Sequence, residues 1–127
     1  MIEINLPWID TALLPNRSNG RNWKATANAK TNARQLGRFE TRRATLNVDS
    51  KWKLNDEIDY SIHIIFRPPR NLGPDVDGVL SALKPTLDGI AEALGVNDRR
   101  FNPIMITRGP TVIGGSVTVI VDELPFT

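Results

Sequence analysis

Four aspartates, Asp75, Asp77, Asp88 and Asp98, and one lysine, Lys84, fall between Gly73 and Arg100 beside an apolar pattern of helical period. Carboxylates are oxygen ligands for hard cations, and Mg²⁺ and Mn²⁺ prefer oxygen and keep several waters for chemistry. Like charges held close together are unstable without a cation. The predicted donor set is Asp75, Asp77 and Asp98. Alternation in an extended segment turns Asp75 and Asp77 the same way, and Asp98 returns from a loop beyond Gly95, which reads as a helix stop.

A helix has to position these groups. From about Asp77 to Leu94, at ~100° per residue, Val79, Leu80, Leu83, Leu87, Ile90, Ala91 and Leu94 fall within an arc of roughly 120° and form a core face. Asp77, Ser81, Lys84 and Asp88, spaced by four, three and four, stack on the opposite side. Pro85 lies inside this pattern, where a proline costs ~3 kcal/mol. It predicts either a kink near Ser81 or a regular helix that starts at Lys84. Each acid also has a structural role open to it: Asp77 as helix N-cap, Asp88 as a solvated helix residue, Asp98 as a turn former.

The 127 residues are 40% hydrophobic, enough for one core, so residues 1–127 read as a single domain. No cysteine is present, which excludes disulfides and thiolate zinc sites, and the single histidine, His63, argues against a histidine-based metal site. No signal peptide or membrane span is predicted, and the expected location is cytoplasmic. No GxxxxGK loop or nucleophile elbow occurs, which removes NTPases and serine hydrolases as leading candidates. The net charge of +2 hides an asymmetry: residues 1–56 carry +5 and residues 57–127 carry −3. One half is suited to polyanions and the other to a cation.

The fold class expected is α/β (α+β), a single domain in which a small mixed sheet of about four strands is packed by two main helices. The strands are Ile2–Leu6, Glu57–Phe66, Ile104–Thr107 and Ser116–Asp122, the last two joined as a closing hairpin. His63 lies on the mixed face of the second strand and reads as structural rather than as a general base. The first helix runs from Trp23 to about Leu46, with Ala25, Ala29, Ala33, Leu36, Phe39 and Ala44 on one broad side. Lys24, Lys30, Arg34, Arg38 and Arg42 lie on the other. The last four form a basic stripe about 18 Å long, suited to a row of phosphates, and Arg17 and Arg21 in the preceding loop add two phosphate contacts.

At this point the chain resembles the RusA-type Holliday junction resolvases, small phage and bacterial endonucleases. The likeness rests on D-x-D at Asp75 and Asp77, on Lys84 and Asp88 within LKPTLDGIAEALG, on the returning Asp98, and on the loop PNRSNGRNW followed by a basic helix. It covers about two-thirds of the chain. It implies a homodimer of α/β fold with Mg²⁺-dependent sites that resolves branched DNA by paired nicks during recombination and repair. Asp75, Asp77 and Asp98 would be the essential acids. Where the family often has asparagine after the second aspartate this chain has Gly78, and where it often has an acid pair Asn97 precedes Asp98. In that chemistry Lys84 would offset charge on the phosphoryl group or orient water, with Asp88 in the outer shell of the metal or pinning Lys84. The competing expectation is a non-catalytic nucleic-acid-binding module whose acids are structural.

Overall fold

Strict alternation along the first two strands, with the valines of the fourth, builds the core. In the computed structural model, which describes residues 1–14, 23–46, 55–71 and 73–123, β1 (Ile2–Pro7), β2 (Tyr60–Arg67), β3 (Phe101–Arg108) and β4 (Ser116–Glu123) form one mixed sheet in the order β1-β4-β2-β3. Partners in register bring apolar residues into rows: Ile2, Val121 and Ile62 in one, Ile4, Val119 and Ile64 in the next, then Leu6, Val117 and Phe66. All of these are buried. They form the floor on which α2 (Val76–Leu94) lays Val79, Ala82, Leu83, Leu87 and Ile90. With α1 (Trp23–Thr45) beside α2, the described residues form a single small α+β unit of two α-helices and four strands. No described helix is long and apolar enough to cross a membrane.

β3 and β4 do not pair as the expected hairpin. β3 runs parallel to β2, and β4 runs antiparallel to β2 on its other side. The reason is the order β2–α2–β3: a helix between two strands favours a parallel crossover. The chain from Gly109 to Gly115 then spans β2 to reach the free side. On the sheet face turned from the helices, His63 shares a 2.8 Å hydrogen bond with Thr107 Oγ1, far from any role beside the acids.

α2 is continuous from Val76 through Pro85, not a helix that starts at Lys84. Its N-cap is Asp75, whose Oδ1 accepts from Gly78 N at 2.8 Å, so the capping role considered for Asp77 belongs to Asp75. Pro85 has no N–H for the Ser81 carbonyl.

The core face of α1 also differs from expectation. Ala29, Ala33, Gly37 and Thr41 are buried, whereas Ala25 and Phe39 are exposed. Close packing explains the shift, because the two helix backbones touch. A Cβ on Gly37 would collide with the Thr86 carbonyl oxygen and lie 3.2 Å from its carbon. One on Gly89 would collide with the Arg34 carbonyl oxygen, 2.9 Å from its carbon. The buried line of α1 therefore follows Gly37 and not the bulky Phe39.

Candidate functional site

The helix pair brings the basic side of α1 against the polar strip of α2. Successive i+4 positions precess by about 40° around a helix, so Lys30 and Arg34 lean toward α2 while Arg42 faces outward. Between the helices lies a cleft of about 550 Å³, lined by Thr26 and Lys30 from α1, Ser81, Lys84, Pro85 and Asp88 from α2, and Leu13. Neither Lys30 nor Lys84 makes an ion pair among the described residues. Two ammonium groups from different helices, with Ser81 on the same wall, present a cationic mouth to a phosphate.

Asp88 also lines a second recess, of about 190 Å³, with Arg34, Ala91, Glu92, Val96, Asn97 and Asp98. The chain turns back here for local reasons. Gly95 takes φ 76°, in the left-handed region. Its N–H and that of Val96 satisfy the Glu92 and Ala91 carbonyls, and Val96 is buried against the core. Asn97 N then donates to Asp56 Oδ1 at 2.9 Å, and the Asn97 side chain accepts from Arg99 N at 3.0 Å. Arg100 reaches Asp59 at 3.4 Å. These contacts hold Asp98 against Asp88.

Partial burial, then hydrogen bonding to Asp98 and the charge of Asp98, raise the Asp88 carboxyl above its ordinary value, against the opposing pull of Arg34 and Lys84. A raised carboxyl binds more protons folded than unfolded, so the folded state loses stability as pH rises through the range above the ordinary value of about 3.9. Asp88→Asn removes that loss. Its melting temperature relative to the wild type is expected to be higher at neutral pH than in mild acid, in metal-free buffer. A difference that stays the same at both pH values would contradict a raised Asp88 carboxyl.

Asp75, Asp77 and Asp98 do not converge within one chain. Asp77 and Asp88 are eleven positions apart on one continuous helix, about 16 Å, and Asp98 sits at the Asp88 end. Among the described residues no three His, Cys, Asp or Glu side chains are gathered closely enough to hold a metal ion. In place of the three-acid set predicted from sequence, Asp75 caps α2, Asp77 stands in its first turn, and Asp88 and Asp98 line one recess. D-x-D and a helix from about Asp77 to Leu94 were both legible, but the expectation that Asp98 returns to the D-x-D end was not met, because it sits at the Asp88 end of that helix.

Of the predicted phosphate contacts, Arg17 and Arg21 lie outside the described residues. Lys24 is exposed, its Nζ 5.8 Å from the centre of the Trp23 ring. Arg34 is ion-paired with Glu92, and Arg38 Nε lies 3.5 Å from Glu92 Oε2. All three of these paired side chains keep at least a third of their surface open, so the pairing is a weak restraint that salt or a phosphate displaces. Arg42 is exposed and makes no ion pair among the described residues. Glu92 was missed by the sequence reading. It stands four residues beyond Asp88, which continues the polar strip.

No family model matches the chain. A relative from Xylella fastidiosa (strain Temecula1), described as "Uncharacterized protein", is 38% identical over 101 residues. Those residues make up 80% of this chain and 63% of the relative, so the chain spans less than two thirds of that protein's length.

Proposed function

We propose that the chain is a metal-dependent endonuclease that acts on branched DNA as a homodimer, in recombination and repair. The observation that carries the reading is the meeting of two features at Asp88: a cleft bearing Lys30 and Lys84, and the recess in which Asp88 and Asp98 stand together. Mg²⁺ is held in many phosphate-handling sites by one or two carboxylates plus substrate oxygens. The Asp88–Asp98 pair suits that pattern, with Mn²⁺ as an alternative ion. Asp88 and Asp98 would hold the ion, which would supply an activated water and offset charge on the leaving oxygen. Lys30 and Lys84 hold the phosphodiester in the cleft, and Lys84 lies close enough to Asp88 to act on its charge. Arg34, released from Glu92, adds a third cation at the rim.

The test is cleavage of a synthetic four-way junction in Mg²⁺ and in EDTA. Paired nicks are expected with the metal and none without it. Cutting that persists in EDTA, or an intact junction in both Mg²⁺ and Mn²⁺, removes the enzyme.

A second reading is favoured by the absence of a three-carboxylate group among the described residues and by the capping role of Asp75. It is a non-catalytic DNA-binding module whose acids are structural. It predicts salt-dependent junction binding with no cleavage under any metal.

A further inference from the structure

We infer that the outer face of α1 around Phe39 is a stacking platform for unpaired nucleobases of DNA. The inference rests on the DNA reading above, but it does not require the chain to cut. Phe39 is 61% exposed and Leu46 is 79% exposed. Between them in sequence stand Arg42, also exposed, and Arg43, whose side chain is 72% exposed. At ~100° per residue these four fall within an arc of about 100°, so the two apolar groups and the two guanidinium groups share one surface. The core side of α1 is satisfied without them, by Ala29, Ala33, Gly37 and Thr41. An aromatic ring left in water in this way holds free energy that a partner's burial would release.

The charge around the ring narrows the partner. The acid nearest in sequence, Glu40, is turned inward with 18% of its side chain exposed, and lies 3.8 Å from Arg43. Among the described residues of α1, the exposed charges beside Phe39 are thus the cations Arg42 and Arg43. A second copy of this face would set Arg42 and Arg43 against their own kind, which like-charge repulsion disfavours. A partner with both a flat apolar face and closely spaced negative charge suits it, and a nucleotide strand has both. In an intact duplex each base already stacks on its neighbours. Only unpaired bases, such as those at a branch point or in a single strand, are free to stack on Phe39 while their phosphates meet the arginines. Phe39 lies on the outward side of α1 and the lysine cleft on the side toward α2, so one unpaired strand crossing α1 would reach both.

The test is equilibrium binding in EDTA, so that cutting plays no part. Wild type, Phe39→Ala and Phe39→Trp are titrated against fluorescent oligothymidylate and against a blunt duplex of the same length. Phe39→Ala is expected to weaken oligothymidylate binding about tenfold and duplex binding by less than about twofold, while Phe39→Trp keeps wild-type affinity. Sedimentation should show the same mass for all three proteins. Unchanged oligothymidylate affinity in Phe39→Ala overturns the inference. So does a change of mass, which assigns the patch to self-association, or a wild type with no affinity for oligothymidylate. A wild type that binds through Phe39 yet leaves junctions intact in Mg²⁺ removes the nuclease and keeps the platform. A Phe39→Ala protein that cuts junctions and binds oligothymidylate normally does the reverse.

Discussion

Gly89→Ala is expected to be among the most destabilising single substitutions in the helical layer, although alanine is the better helix former. Alanine in a helix interior gains up to ~1 kcal/mol over glycine. Against that, the new methyl would occupy space held by the Arg34 carbonyl oxygen and lie 3.1 Å from Arg38 N. Those are backbone atoms of a packed helix and cannot swing aside as a side chain would. The helices must separate, and α1 loses contact along Ala29, Ala33 and Gly37. Overpacking of this kind costs typically 1–3 kcal/mol, occasionally more, so the net loss is about 1–2 kcal/mol. For a domain of this size that lowers the melting temperature by roughly 4–10 °C. Gly37→Ala meets the Thr86 carbonyl from the other side and should behave alike. Because both substitutions relieve themselves by the same separation, the double variant should lose less than the sum. A thermal melt of Gly89→Ala at or above the wild-type value would mean that the helices do not cross this closely.

Asp98→Asn is expected to abolish junction cutting, by on the order of 10²-fold or more, given that even outer-shell partners of bound metals are worth 10–100-fold. Binding to the junction should survive, because the cationic groups are Lys30, Lys84 and the arginines of α1. The amide keeps the shape of the carboxyl, and Asp98 is exposed, so the fold should be unaffected. Single-turnover cleavage alongside binding in EDTA separates the two effects. Lost binding with an intact melt would mean that Asp98 positions the DNA rather than a cation. Mixing two inactive variants asks a further question. If Asp77→Asn is also inactive and a mixture with Asp98→Asn recovers cutting, the cation is held between two copies, one giving its D-x-D end and the other its Asp98 end. That route remains compatible with a 19-residue α2 keeping the two ends apart within one chain.

Much of the fold follows from local pattern, because alternation and helical period depend only on which side chains must leave water. The alternation from Glu57 to Phe66 predicted the central strand, and of the expected core face of α2 Val79, Leu83, Leu87, Ile90 and Ala91 are buried, with Leu80 and Leu94 half-buried at its margin. Gly95 predicted the helix end, because only a residue without Cβ takes its φ at little cost. Tertiary structure decided what no local period encodes. Which strands pair is a contest of connections, so β3 went parallel to β2 and β4 took the other side. Helical pattern put Phe39 on the apolar side of α1, yet the backbone contact at Gly37 and Gly89 turned it outward. The acids themselves were legible as residue types, but their grouping was not. Spacing along the chain identifies Asp75, Asp77, Asp88 and Asp98, whereas only the long-range contacts of Asn97 with Asp56 and of Arg100 with Asp59 decide where the chain beyond Gly95 runs and that the last two stand together.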